Sequence, residues 1–163
     1  MVAACLPLGV TILVPYDGSA LSKTALSRAQ TFAEYTDDDL LALVVIPDEP
    51  GYAHRHAWLE PEDTFDVGVI ERKLTQEIRD VAPNAEVRVE FVENTEPTAD
   101  TTMVVVRTIK EVAAEVAARV VFVGSQNAGK VTRPLASIGG TVADDARYDV
   151  HIVRHPDPEF ADD

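Results

Sequence analysis

The stretch TILVPYDGSALSKTAL, residues 11–26, contains a strand, a turn and the start of a helix. Its first six residues, TILVPY, are an almost continuous apolar run, which is typical of a strand buried on both faces of a parallel sheet. Beyond the turn, apolar residues recur at helical spacing, and either Ser19 or Ser22 is available as the helix cap. The recurring residues are Leu21, Ala25, Ala29 and Phe32. This stretch predicts the first strand-helix unit of a parallel sheet.

The rest of the chain repeats this alternation of strand and helix. Further strands are predicted at residues 40–46, 86–92, 119–124 and 149–154. Helices are predicted at about residues 21–32 and 67–81, from Pro97 to Val116, and from about Ser137. The polar, proline-rich residues 47–63 predict a loop. Five strands and four helices in alternation predict an α/β protein with an open, doubly wound parallel sheet.

The length of 163 residues and the hydrophobic content of 46% predict one domain with a substantial core. We expect that domain at residues 11–154, after an N-terminal extension at residues 1–10. An acidic tail at residues 155–163 is expected to be frayed. A single cysteine, Cys5, allows no intrachain disulfide, and no apolar run reaches the length of a membrane span. These features favour a cytoplasmic protein without a membrane partner.

The charge of the chain is strongly negative. Asp and Glu total 28 against 14 Lys and Arg, which gives a net charge of −14. Such a surface repels nucleic-acid backbones, so no nucleic-acid partner is expected. An ordinary acidic protein has this composition, and so does a chain adapted to very high salt, because acidic surfaces poor in lysine keep their solubility there. We take the second interpretation as a hypothesis.

In doubly wound sheets, ligands bind outside the carboxyl ends of the strands, which directs attention to three turns. At the first turn, Asp17 either accepts hydrogen bonds from the hydroxyl groups of a sugar or caps the following helix. At the second turn, Val45 offers backbone groups and an apolar wall to a base, or is plain core. Both alternatives are open at both positions.

The third turn lies in GSQNAGKV, residues 124–131, and has the features of an anion site. Backbone N–H groups at a strand-to-helix turn attract phosphate, and Gly124 permits close approach. Ser125 and Ser137 offer hydroxyl groups, and Lys130 is one of only four lysines. The alternative is an ordinary polar loop. A phosphotransferase P-loop is disfavoured, because Val131 stands where Ser or Thr would bind magnesium.

The chain as a whole resembles the universal stress protein family. The resemblance rests on ILVPYDGS, LLALVVIPD, VVFVGSQ, LASIGGTVADDA and DVHIVR, which follow the family's order from Thr11 to Arg154. It implies a Rossmann-like, five-stranded sheet of order 3-2-1-4-5 with helices on both faces. It also implies a homodimer that pairs its last strands, here residues 149–154. One branch of the family binds ATP.

Carried across from that branch, Asp17 matches the aspartate that contacts ribose, and Val45 the strand position that contacts adenine. Gly124 matches the first glycine of the phosphate loop. Asn127 replaces the second glycine, and Ala136 replaces a third after only eight residues. The expected nucleotide site comprises Pro15, Tyr16, Asp17, Val45, Gly124, Ser125, Asn127, Gly129, Lys130 and Ser137.

Two functions follow from these observations. The first is a regulatory module that binds ATP or another adenine nucleotide, with or without magnesium, and turns it over slowly or not at all. The second is a dimeric interaction scaffold of the same fold, with an unknown protein partner, that has lost the nucleotide. Asp17 and the bases Lys130 and Arg133 favour the first function, whereas Asn127, Ala136 and the shortened loop favour the second.

Other features carry less functional information. His54 and His56 lie near three carboxylates, but in a loop without fixed geometry they match no metal-ligand spacing, so no metal site is expected. Trp58 either inserts into a partner, folds over the pocket as a lid or fills a gap, and we favour the gap-filling role. No Ser-His-Asp or Cys-His arrangement is visible, so no catalytic residue is assigned.

Overall fold

The structure, a computed structural model, describes residues 11–93, 100–125 and 148–161. Its strands are β1 (Thr11–Pro15), β2 (Asp39–Pro47), β3 (Glu86–Val92), β4 (Ala118–Gly124) and β5 (Asp149–Val153). Its helices are α1 (Ala20–Thr36), α2 (Pro50–Arg55), α3 (Val67–Val81) and α4 (Thr101–Glu115). Among these described helices, none is both long and apolar enough to cross a bilayer.

The five strands form one parallel sheet of order β3-β2-β1-β4-β5, as predicted. β1 lies at its centre, and Ile12 pairs with Leu40 on one side and with Val120 on the other. The interior residues of β1 and nearly all of β2 are buried, which explains why both strands are continuous apolar runs. Right-handed crossovers place α1 and α3 on one face of the sheet and α4 on the other.

The first turn shows how the local sequence starts α1. Gly18 has a φ of 83°, a left-handed conformation that a side chain would strain. Ser19 is the cap, and its hydroxyl oxygen accepts a hydrogen bond from the backbone N–H of Ser22 at 3.1 Å. The choice between the two serines is therefore decided in favour of Ser19.

Several predicted boundaries were wrong. Residues 47–63 are not a continuous loop, because Pro50 occupies the first turn of the short helix α2. The helix that was predicted from Pro97, α4, begins at Thr101, and Asp100 caps it by accepting a hydrogen bond from the N–H of Thr102 at 3.2 Å. β1 and β5 each end one residue before the predicted end. Pro97 itself and the helix expected from Ser137 lie outside the described residues.

The prediction of a frayed tail was wrong for residues 155–161, which are held by contacts with α1. The backbone N–H of Asp157 donates to Oγ1 of the buried Thr24 at 2.9 Å, and Arg28 forms a salt bridge with the Asp157 carboxylate at 3.0 Å. Both partners belong to α1, more than a hundred positions earlier in the chain. Local composition carries no signal of such a contact, which is why the sequence predicted fraying.

Candidate functional site

A pocket opens at the carboxyl ends of β1 and β2, beside α4. This is the edge of an open α/β sheet at which ligands bind. Its lining residues are Pro15, Tyr16, Asp17, Leu43, Val45, Tyr52, His56, Trp58, Thr102, Val105, Val106 and Ile109. Four of the ten expected site residues, Pro15, Tyr16, Asp17 and Val45, are thus brought together.

The two carboxylate oxygens of Asp17 differ in their hydrogen bonding. Oδ1 accepts a hydrogen bond from the backbone N–H of Ser19 at 2.9 Å and so shapes the turn. Among the described residues, Oδ2 has no hydrogen-bond partner. The indole Nε1–H of Trp58 donates to the backbone carbonyl oxygen of Asp17 at 2.7 Å, which fixes the peptide group beside it. Asp17 therefore supports the helix start and still presents an acceptor at the pocket.

Tyr16 reaches the pocket with only part of its surface. Its buried hydroxyl group donates to Oε1 of Glu77 on α3, at 2.8 Å. Burial, and then the neighbouring Glu77 carboxylate, raises the pKa of Tyr16 well above its usual range. The hydroxyl group is therefore a permanent donor to α3 and is not available to a ligand.

Val45 directs its peptide groups toward the pocket. The backbone carbonyl of Leu43 accepts from the N–H of Tyr16 at 2.8 Å, so Leu43 points its peptide groups toward β1. In a parallel ladder, alternate residues point their peptide groups to the same neighbour. Val45, two residues further on, directs its N–H and C=O to that side, beyond the point where β1 ends. A planar ligand can therefore meet a donor and an acceptor there.

Three aromatic rings from the segment after β2 form the next wall of the pocket. Tyr52 and His56 stack with their ring centroids 4.1 Å apart and their planes 20° apart. Trp58 is tilted against both rings, at 5.5 Å from Tyr52 and 5.3 Å from His56. Trp58 is only 3% exposed and lines the pocket. Tyr52 and His56 were not predicted to line the pocket, because the sequence of this segment predicted a loop.

Tyr52 remains neutral at physiological pH. Burial, and then the nearby Asp17 carboxylate, raises the pKa of Tyr52 to about 12. Its hydroxyl group can therefore both donate and accept a hydrogen bond at the pocket.

The opposite wall comes from α4 and is apolar. Val105, Val106 and Ile109 line it, and all three are buried. The hydroxyl group of Thr101 donates to the carboxylate of Glu49, which lies at the start of α2. This hydrogen bond joins the helix that carries the apolar wall to the helix that carries the aromatic rings.

Gly124 is explained by packing between β4 and α1. A Cβ atom at this position would lie 2.8 Å from Cβ of Leu21, too close for any side chain. Ser125 follows it and is exposed. Neither residue belongs to the pocket lining that the structure describes. Asn127, Gly129, Lys130 and Ser137 lie outside the described residues.

The two histidines considered as metal ligands are separated in the structure. His54 is exposed on α2, whereas His56 follows the helix and stacks on Tyr52. Within residues 11–93, 100–125 and 148–161, no group of three or more histidine, cysteine or carboxylate side chains could hold a metal ion.

The strand order and the pocket at the carboxyl ends of β1 and β2 define a doubly wound α/β protein. The universal stress protein family matches residues 10–154, so the chain belongs to that family. No curated protein matches the chain.

Solved structures share the fold at low sequence identity. A hypothetical protein designated MJ0577 is 15% identical, with a TM-score of 0.53 over 92% of this chain and 99% of that chain. A universal stress protein from Archaeoglobus fulgidus is 16% identical, with a TM-score of 0.51 over 89% of this chain and 93% of that one. Another from Archaeoglobus fulgidus, in complex with dAMP, is 14% identical, with a TM-score of 0.50 over 91% and 100% of the two chains.

Proposed function

We propose that this universal stress protein binds an adenine nucleotide, with ATP as the first candidate, in the pocket at the ends of β1 and β2. The observation that carries the proposal is the acceptor Oδ2 of Asp17 beside an apolar cleft whose rim includes the peptide groups of Val45. The complex of one fold relative with dAMP supports the same ligand class.

The chemistry of the pocket divides between the parts of a nucleoside. The base lies between the apolar side chains of Leu43 and Ile109, and the N–H and C=O of Val45 meet its edge. Oδ2 of Asp17 accepts from a ribose hydroxyl group, because an ionised carboxylate is an acceptor only. In this proposal Gly129, Lys130 and Ser137 hold the phosphates, with or without magnesium.

The nucleotide acts as a regulatory ligand rather than as a substrate with rapid turnover. A ligand shifts a conformational equilibrium, or the affinity for a partner, only by as much as it binds the two states differently. The hydroxyl group of Tyr16 is bound to Glu77, and Oδ1 of Asp17 is bound to its own turn. In this proposal the polar groups of the pocket bind and position the nucleotide, and its hydrolysis is slow or absent.

Calorimetric titration of the nucleotide-free protein with ATP, ADP and AMP tests this proposal. Magnesium and molar KCl are present. We expect micromolar ATP binding, and Asp17→Asn should weaken it about tenfold through loss of a charge-assisted hydrogen bond. Asn keeps an oxygen for the N–H of Ser19, so the turn is preserved.

The matched control is Asp63→Asn. Asp63 also accepts from a backbone N–H, that of Glu60 at 3.1 Å, but it is exposed and does not line the pocket. Its substitution should leave the affinity unchanged. Absence of heat, and of any thermal shift, at millimolar ATP would contradict nucleotide binding and favour the interaction scaffold.

We also propose that β5 pairs with its copy in a second molecule to form a homodimer. β5 is an edge of the sheet, and Ile152 on it is 38% exposed. An open edge strand can pair with a strand of another molecule. Pairing about a two-fold axis covers the β5 edge of both molecules at once.

A further inference from the structure

We propose that His56 is a specificity-determining residue that accepts a hydrogen bond from the 6-amino group of the bound purine. The inference rests on the proposed nucleotide site and names the feature of the base that this site selects. It arises from the position of the imidazole ring, which the nucleotide-binding proposal does not use.

The ring of His56 is held on two sides. One face stacks on Tyr52 at 4.1 Å, and Trp58 is tilted against it at 5.3 Å. The backbone N–H of His56 also donates to the carbonyl oxygen of Tyr52 at 3.1 Å, which closes the end of α2. The imidazole therefore has one orientation, and it lines the pocket.

The hydrogen bonds of the ring determine its tautomer. Nδ1 lies 2.9 Å from the backbone carbonyl oxygen of Tyr52. A carbonyl oxygen can only accept, so Nδ1 carries the proton. In the neutral ring, Nε2 is then an acceptor with no proton of its own. His56, the C-cap of α2, thus carries a hydrogen-bond acceptor on the wall of the pocket.

An acceptor at this wall can discriminate among purines. Most of the neighbouring side chains cannot, because they do not distinguish a donor from an acceptor on the base. Leu43, Val105 and Ile109 are apolar, and the hydroxyl groups of Tyr52 and Thr102 can donate as well as accept. Adenine carries an amino group at C6, with two hydrogens to donate. The carbonyl of Val45 can take one of these, and Nε2 of His56 the other.

A purine with a carbonyl oxygen at C6, such as hypoxanthine or guanine, would place that oxygen against Nε2. The C6 oxygen and Nε2 are both acceptors, so they repel each other, and both are left without a hydrogen bond inside the pocket. Selection for the amino group therefore combines an attractive contact with a repulsive one against the alternative bases.

The test compares ATP with purine riboside triphosphate, which lacks the amino group, by calorimetry at pH 8. Wild-type protein should bind ATP more tightly than the analogue. His56→Phe retains a ring to stack on Tyr52 but loses the acceptor, so the ratio of the two dissociation constants should fall about fivefold. His56→Gln, which restores an oxygen near the position of Nε2, should recover most of that ratio.

His54→Phe is the matched control, because His54 lies on α2 only two positions before His56, is exposed and does not line the pocket. It should leave the ratio unchanged. His56→Asn is a second loss variant, since its shorter side chain keeps a donor for Tyr52 but has no atom at the position of Nε2. Should His56→Phe fail to fold, the fall in the ratio must appear in His56→Asn.

The outcomes separate this inference from the proposed function. If wild type binds ATP, but His56→Phe and His56→Asn show the same ratio of dissociation constants as wild type, the role of His56 is overturned and nucleotide binding stands. If wild type binds none of the triphosphates, both proposals are overturned together. A lower ratio in the loss variants, with recovery in His56→Gln, supports the inference.

Discussion

Gly124 illustrates how a glycine in a suspected phosphate turn can be required for packing instead. The site at the end of β4 has no room for a Cβ atom, because Leu21 of α1 lies against it. We predict that Gly124→Ala lowers the free energy of unfolding by about 1–3 kcal/mol, the usual cost of overpacking a core. Urea denaturation measures this change.

Gly51→Ala is the control for that prediction. A Cβ atom at Gly51 would meet only the flexible ends of Arg55 and Glu49. Replacing a glycine inside α2 should be neutral or stabilising. Leu21→Ala should not rescue Gly124→Ala, because alanine retains the Cβ atom that causes the clash. Equal stability of the two glycine variants would show that β4 and α1 can separate without cost.

Tyr16 and Asp17 show the limit of sequence reasoning at single residues. Both follow an apolar strand at the correct edge of the sheet, and the sequence assigned both to the nucleotide site. The structure commits the hydroxyl group of Tyr16 to Glu77, 61 positions away, and leaves an oxygen of Asp17 at the pocket. Position relative to a strand is readable from local sequence, whereas a distant partner is not.

Among the elements, α2 is the one that the sequence did not predict, and it supplies Tyr52 to the pocket, with His56 and Trp58 following directly after it. It spans only Pro50–Arg55, too short for a helical period to be visible. Its place is fixed by the hydrogen bond between Glu49 and Thr101 and by the buried Trp58. The longer helices and the buried strands were predictable, because their apolar patterns extend over several repeats.

The two edges of the sheet allow a matched test of the proposed dimer. Ile152→Lys places a charge on β5 and should convert a dimer to a monomer, since lysine protects edge strands from pairing. Phe91→Lys makes the same change on β3, the other edge, where Phe91 is 52% exposed. Sedimentation velocity should show a monomer only for Ile152→Lys. A monomeric wild type, or dissociation by Phe91→Lys alone, contradicts pairing through β5.

For the whole molecule, the net charge of −14 predicts a response to salt. Repulsion between surface carboxylates destabilises the compact state, and salt shortens the Debye length from ~10 Å at 0.1 M to ~3 Å at 1 M. We expect the melting temperature to rise by about 5–10 °C between 0.1 and 2 M KCl, as scanning calorimetry would measure.

Most of that rise should occur below about 0.5 M KCl, because screening saturates once the Debye length is shorter than the spacing of the charges. Exclusion of salt from the protein surface would instead give a steady increase to 2 M. A melting temperature independent of KCl would contradict the hypothesis that the chain is adapted to high salt.

The strand order also has a consequence for synthesis on the ribosome. β1 pairs with β2 soon after both have emerged, but its other neighbour, β4, is made much later in the chain. At ~5–20 residues per second, the nascent chain exposes an apolar strand edge for on the order of ten seconds. During this interval the central strand depends on chaperones, or on α1 folding over it, to avoid pairing with another chain.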